Sequence, residues 1–306
     1  MRKGRCVVVK IETWFAQNTA DLKGKRIAVT GSTGGLGQVL CSYLVALGAS
    51  LVLLDRNEQR SLAHRNSLCE RFVGADITCI PLDLEDLVSA NRVCDRLIQE
   101  EIDIFIHNAG AYSIPRHACK SGYDNVFQIN FATPFYMIRR LLPMLRARHG
   151  RVVVVGSIAH RYSHIDENDI DFSTRKAASK VYGNAKRYLM FSLYELFRHE
   201  REASLAVTHP GITFTGITAH YPKPIFAIIK YPMKVIFMKP KKAALSILLG
   251  VFERTGDREW IGPRVFDVWG FPKKKRLRNC SQAEQVRIAE LAERVFAACE
   301  GCLWDS

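Results

Sequence analysis

The chain has 306 residues, 48% of them hydrophobic and 24% charged, with a formal net charge of +14. This length suits one large α/β domain or two small ones, and the composition excludes a disordered or fibrous chain. The nine cysteines are odd in number and scattered through segments that read as helix or strand, which fits a reducing compartment rather than a disulfide-stapled scaffold.

Met1 to Lys10 holds only the short apolar run Cys6-Val7-Val8-Val9, too short for a signal-peptide core or a bilayer span, so a cytoplasmic chain is expected. Residues 1–22 read as an N-terminal extension. Arg26 to Thr30 then reads as a buried strand, followed by a Gly-rich turn and an amphipathic helix from about Leu36 to Leu47. Next come a strand at Ser50–Leu54, a helix to about Phe72, a strand near Thr78–Leu82, a helix at Asp86–Glu100 and a strand at Ile102–His107. Helices at about 119–128 and 132–147, a strand at 151–156, a long helix at about 174–199 and a strand at 204–208 continue the alternation. Four prolines between Ala219 and Phe252 break it before a helix at about 241–253, and a last strand is expected near Trp260. Runs such as Val152-Val153-Val154-Val155 lack polar alternation and suit parallel strands covered on both faces. The reading is therefore an α/β, doubly wound parallel sheet in one domain, 23–270, with a substrate lobe at 212–255. A basic turn and C-terminal helix occupy 271–306.

The turn Thr30-Gly31-Ser32-Thr33-Gly34-Gly35-Leu36-Gly37 lies between a strand and a helix. Glycines there let backbone approach a pyrophosphate, and the helix start offers unpaired N–H groups. Asp55 ends the second strand, where a carboxylate can bind ribose hydroxyls and repel a 2′-phosphate; Arg56 beside it could instead hold that phosphate. Because the loop carries no Lys or Arg, NAD is favoured over NADP. Asp83, followed by Leu84, is placed to meet the adenine, or else to cap the helix before Leu87.

Tyr182 and Lys186 stand four apart, on one face of a helix. At about 4 Å and an effective dielectric of about 20, the cation would favour the phenolate by roughly 4 kcal/mol. That corresponds to about three pKa units, bringing a tyrosine from ~10 towards ~7.

Five features occur in order: Thr30-Gly31 with Gly35 and Gly37, Asn108-Ala109-Gly110, Asn130, Ser157, and Tyr182 with Lys186. Together they resemble the short-chain dehydrogenase/reductase family, over roughly residues 24–265. The resemblance implies a Rossmann fold and an NAD(P)-dependent oxidoreductase. In it Tyr182 exchanges a proton with the substrate oxygen, Lys186 lowers the Tyr182 pKa and contacts the nicotinamide ribose, Ser157 holds the substrate oxygen, and Asn130 supports a water chain. Pro210-Gly211, with Thr215 beyond, is similar to the family's segment closing over the nicotinamide. More narrowly, Arg151–His160 with Tyr182 resembles the retinol dehydrogenase-like branch. Phe131 stands where that branch has His, and Gly156 replaces one of two adjacent serines.

Family resemblance also implies a homo-oligomer through the helices at 132–147 and 174–199. Between Ala219 and Arg278 there are 14 Lys and Arg against 4 Asp and Glu. Within this stretch Ile225–Ile229 and Val235–Met238, separated by Lys230 and Lys234, read either as a peripheral membrane segment or as pocket lining packed on the core. An apolar, basic lobe suits a small hydrophobic substrate, whether steroid, retinoid or lipid-like. Lys273 to Arg278 reads as a solvated turn or a contact for phosphate, and no nucleic acid is expected without interleaved aromatics. His160, His164 and His209 lack metal-ligand spacing, so no metal is expected. Two other readings share the fold: a non-redox lyase or epimerase, and a catalytically silent nucleotide-binding interaction protein.

Overall fold

The computed structural model describes residues 10–212 and 238–304. Cys6, Thr215, the run Ile225–Ile229 and most of Val235–Met238, with Lys230 and Lys234, lie outside them. The elements are β1 (Arg26–Thr30), β2 (Ser50–Asp55), β3 (Ile77–Pro81), β4 (Ile104–His107), β5 (Arg151–Val155), β6 (Ser204–Thr208), β7 (Glu259–Val265) and β8 (Trp269–Arg276). Helices α1 (Ile11–Asn18), α2 (Gly35–Ala46), α3 (Glu58–Arg71), α4 (Leu87–Gln99), α5 (Thr133–Ala147), α6 (Ala178–Leu196), α7 (Pro240–Phe252) and α8 (Gln282–Trp304) complete the set.

The strands form one sheet in the order β3-β2-β1-β4-β5-β6-β7-β8, parallel except for β8. Side chains alternate across it, as strand geometry requires. Ala28, Val52, Phe105, Val152 and Val154 face a core shared with α4, α5, α6 and α8. Ile27, Val29, Leu51, Leu53 and Val153 face a second core under α1, α2, α3 and α7. Burial on both faces explains why these strands read as unbroken apolar runs. Strand order reverses direction between β1 and β4, and ligands of such sheets sit in the crevice beyond the carboxyl ends at that point.

Three local readings change. Residues 119–124 are a turn rather than helix, because the Asp124 carboxylate accepts from Val126 N (3.0 Å) and Phe127 N and so starts the helix at Asn125. From there a short helical turn runs through a π-helical turn, Gln128–Ala132, into α5. The basic run Lys273–Arg276 is not a turn but the second arm of a hairpin, pairing antiparallel with β7. Pro272 beside it masked the strand in the sequence, and edge strands tolerate both proline and lysine. Helix α1, whose buried Trp14 stacks on Phe271, also went unforeseen.

Trp260 is fully buried, with His209 stacked on its ring at 4.7 Å and His160 edge-on at 5.5 Å. Burial lowers the His209 pKa from 6.5 to about 4. Between those values the unfolded chain binds a proton that the folded one does not, so stability is complete above pH 6.5 and declines as pH falls towards 4. Thermal midpoints measured across that range should fall more steeply for the parent protein than for His209→Gln.

Candidate active site

At the carboxyl end of β1 the chain turns through Gly31, whose φ is +67° and whose Cα faces Ala109 so closely that an added Cβ would lie 2.9 Å from it. Only glycine meets both demands. Helix α2 begins at Gly35 with no side-chain cap, leaving its first N–H groups for an anion. A cavity of about 430 Å³ opens here, lined by Gly31, Thr33, Gly35, Leu36 and Gly37 on one side and Asp55, Arg56, Asp83, Leu84, Ala109 and Gly110 on the other.

Asp55 is the knot of this region. Its side chain is almost wholly buried, with Oδ2 accepting from Ser32 Oγ (2.5 Å) and Ser61 Oγ (3.0 Å), and Oδ1 from Thr33 N and Oγ1 (both 3.0 Å). The carboxylate therefore fixes the shape of the glycine loop, a duty that its strand-end position alone did not announce. Arg56 is largely exposed and pairs with Glu85 at 3.3 Å. Asp83 is not the helix cap; Asp86 is, accepting from Val88 N at 3.0 Å, while Asp83 Oδ1 accepts from Glu85 N and its carboxyl lines the cavity.

Asn108 braces rather than reaches outward: its Nδ2 donates to the carbonyls of Thr30 (3.2 Å) and Gly31 (3.0 Å). Thr30 Oγ1 in turn accepts from the N–H groups of Asn108 and Ala109. Beyond them, Asn130 sits in the π-helical turn, its Nδ2 donating to Ala111 O and Val126 O at 2.8 Å each. An added Cβ on Gly110 would fall 2.9 Å from Asn130 Oδ1 and 3.6 Å from Lys186 Nζ, so the three meet at one point.

Lys186 is 1% exposed and its Nζ donates to Val155 O at 3.0 Å, at the end of β5. Its Nζ lies 5.6 Å from the Tyr182 ring centre, so the spacing read from sequence does bring the pair together. The expected electrostatics differ. Burial holds Tyr182 up at about 12, opposed by a hydrogen bond with Ser157, and brings Lys186 down to about 7. Desolvation outweighs the attraction that the spacing implied.

Ser157 caps a short 3₁₀ turn, Ile158–Tyr162, accepting from Ala159 N at 3.2 Å. Gly156 has a packing reason: a Cβ there would lie 2.7 Å from Met190 Sδ, which fills the space a serine would use. Pro210 and Gly211 are buried past β6, with Gly211 against the hairpin at Val268 O.

The sequence reading missed several neighbours. Tyr112 packs edge-on against Tyr182 at 5.4 Å, and Val126, Phe172 and Val181 form an apolar cluster that Ile114 and Tyr182 join. His160 Nδ1 donates to the Ser157 carbonyl at 2.5 Å, and its Nε2 meets the Asn279 carboxamide at 3.0 Å. Arg187, 1% exposed, donates to His160 O (3.2 Å), Asn279 O (2.9 Å) and Glu284 (2.6 Å), fastening the start of α8 to the Ser157 turn. The position of Tyr112, two beyond Gly110, was the only signal among these.

Glu85, His117 and Cys119 also converge, their donor atoms within 4.8 Å of one another. His117 Nδ1 faces the Asn125 amide nitrogen at 3.2 Å, a donor, so Nε2 carries the proton and gives it to Glu85 at 2.8 Å. The cluster is thus held together by its own hydrogen bonds.

With strand order, glycine turn, Asn130, Ser157, Tyr182 and Lys186 thus arranged, the chain belongs to the short chain dehydrogenase family, whose pattern matches residues 25–182. It is 28% identical over 207 residues to human retinol dehydrogenase 13, covering 66% of this chain and 62% of that protein, so under two thirds of the relative's length is matched. It is 30% identical over 221 residues to a short-chain dehydrogenase/reductase of Armillaria gallica, covering 68% and 71%. The fold is similar to the crystal structure of an uncharacterised protein from Mycobacterium paratuberculosis, with TM-score 0.70, 23% identity and coverage of 94% and 96%.

Removing the carboxylate in Asp55→Ala strands the hydroxyls of Ser32 and Ser61 and loosens the glycine loop. Urea unfolding should show a loss of about 3–5 kcal/mol, the usual cost of removing one partner from a buried charged network. Asp55→Asn, which keeps acceptor capacity at one oxygen, should lose less.

Proposed function

We propose that the protein is a nicotinamide-dependent oxidoreductase that interconverts a hydrophobic alcohol and its carbonyl compound. The observation that carries this reading is Lys186, a buried cation with Tyr182, Ser157 and Asn130 around it. An ammonium out of water costs several kcal/mol of stability, and nothing in the core needs it. A silent nucleotide-binding protein would have no use for it.

The lining of the cavity suits the adenosine and pyrophosphate of a dinucleotide. Thr30 to Gly37 would hold the pyrophosphate, Asp55, Arg56, Asp83 and Leu84 the adenosine, and Ala109, Gly110, Tyr182, Lys186, Pro210, Gly211 and Thr215 the nicotinamide half, with Asn108 bracing the loop behind them. The bound nucleotide would supply or accept the hydride. NAD is the preferred form: Asp55 is locked at the cavity wall by four donors, and a 2′-phosphate would have to draw Arg56 away from Glu85.

On the protein's side, Ser157 would hold the substrate oxygen while Tyr182 moves the proton. A tyrosine held at about 12 keeps its proton at neutral pH, which suits donation to a carbonyl oxygen during reduction. Once it has donated, the phenolate needs the Lys186 cation beside it, and Asn130 keeps that corner polar. Substrate hydrophobicity is supported by the cluster of Ile114, Val126, Phe172 and Val181 beside Tyr182, and by the likeness to a retinol dehydrogenase. Homo-oligomer contacts through α6 are disfavoured, because Gly183 to Tyr194 are already buried, with α8 packed against the helix; another face would have to serve.

Fluorescence titration with NADH and NADPH tests the cofactor: NADH should bind more tightly, and failure of both to bind below millimolar concentration overturns the reading. Against a panel of retinoids, steroids and fatty aldehydes, Tyr182→Phe should lose at least 1,000-fold in kcat while nucleotide affinity stays within about threefold.

Because Lys186 titrates near 7 and only its charged form supports the phenolate, kcat/KM for reduction should be level below pH 7 and fall about tenfold per unit above it. A profile flat to pH 9 would remove Lys186 from this role.

A further inference from the structure

The β7–β8 hairpin carries features that neither the sheet nor the active site uses. At its tip Phe266 is 83% exposed, flanked by the half-exposed strand pair Val265 and Trp269. Such a cluster of large apolar side chains is unusual on a surface that water alone meets. The tip is held stiffly: Phe266 and Asp267 take left-handed backbone conformations, and the Asp267 carboxylate is gripped by Lys275 (2.8 Å) and Arg161 (3.1 Å).

Behind the tip the charge is mostly positive. Arg264, Lys273, Arg276 and Arg278 are exposed and have no carboxylate partner among the described residues, while Lys274 pairs with Glu253 at 3.4 Å. The hairpin's own carboxylates are Asp267, already doubly paired, and Glu259, which stands opposite Arg276 at the far end from the tip and accepts from Gly256 N. Lysine along an edge strand also blocks pairing with another sheet, but that function needs no exposed phenylalanine at the turn.

We propose that this hairpin docks the protein on an anionic lipid surface, with Phe266 and its neighbours entering the interface and the four free cations meeting headgroup phosphates. A rigid apolar tip ahead of a basic shaft matches the layering of a bilayer interface, apolar below and anionic above. A nucleic acid would meet the same cations but leave the tip in water, and a second copy of the chain would bring like charges together. The hairpin is also placed for delivery. Strand β7 is parallel to β6, so its tip lies at the carboxyl end of the sheet, where Gly211 packs against Pro263 and Val268. This part rests on the oxidoreductase reading; the docking itself does not.

The full chain is mixed with vesicles of phosphatidylcholine alone or with about a third phosphatidylglycerol, and the bound fraction is measured by flotation. Binding is expected to the anionic vesicles only, and to weaken with salt. Phe266→Asp should lower the partition coefficient at least tenfold, and Lys273→Glu with Arg276→Glu at least tenfold again, at about fivefold or more for each charge removed. Thermal midpoints should stay within a few degrees, since these side chains are exposed. No binding to anionic vesicles overturns the proposal. So does binding that survives both hairpin changes and disappears on Lys230→Glu with Lys234→Glu, which would assign the contact to the lobe. Self-association abolished by Phe266→Asp without vesicle binding would assign the tip to a second copy. Turnover enters none of these measurements, so failure of the docking and failure of the enzymatic reading are separable.

Discussion

Burying the side-chain nitrogen of Lys186 is the constraint around which the site is built. Out of water, its hydrogen bond among the described residues goes to the Val155 carbonyl, available because β5 ends there. That contact pins α6 to the end of the central strand and sets Tyr182, one helical turn earlier, over the same crevice. Gly110 must lack a side chain, because a Cβ there would press on Asn130 Oδ1 at 2.9 Å. His107, also fully buried, is kept neutral by its own desolvation and by the lysine nearby. Stability is given up at this point to keep a titratable nitrogen away from bulk water.

A second knot lies across the crevice. Asp55 gathers Ser32, Thr33 and Ser61 around one carboxylate, while Thr30 and Asn108 lace the end of β1 to the end of β4. This knot joins neighbouring strands at their carboxyl ends, as Lys186 joins α6 to β5, so the turns that line the cavity are anchored to the sheet. The Ser157 turn receives a third tie from behind, through His160 and Arg187 to α8. The side chains of the candidate site are thus held by elements whose own packing is complete.

The order of the sheet up to β6 was readable because each strand is an unbroken apolar run and each helix an amphipathic one. The nearness of Tyr182 to Lys186 and Ser157 was readable because motif spacing survives translation into space. Electrostatics were not: spacing predicts attraction between Tyr182 and Lys186, while desolvation, which depends on every element packed around them, carries the opposite sign for both groups. Asp55 was placed correctly at a strand end, but its partners Ser32, Thr33 and Ser61 could be known only once the loop and α3 were folded beside it. Strand β8 hid behind Pro272 and a lysine run, residues that an interior strand would reject and an edge strand accepts. His160 and Arg187 act through partners about 120 and 90 residues away, beyond the reach of any local pattern.

The π-helical turn at Gln128–Ala132 amounts to one residue more than a regular helix would hold in that stretch. Each residue of an α-helix advances about 100° around its axis, so the surplus sets the angular offset between Asn130 and all of α5 behind it. A shorter sequence here would relax into regular helix and still satisfy the backbone. It would also swing the Asn130 amide away from Ala111 and Gly110, leaving a sound helix whose polar group points elsewhere. Irregular winding, at this one place, is what lets a single continuous helix serve both the hydrophobic core and the crevice.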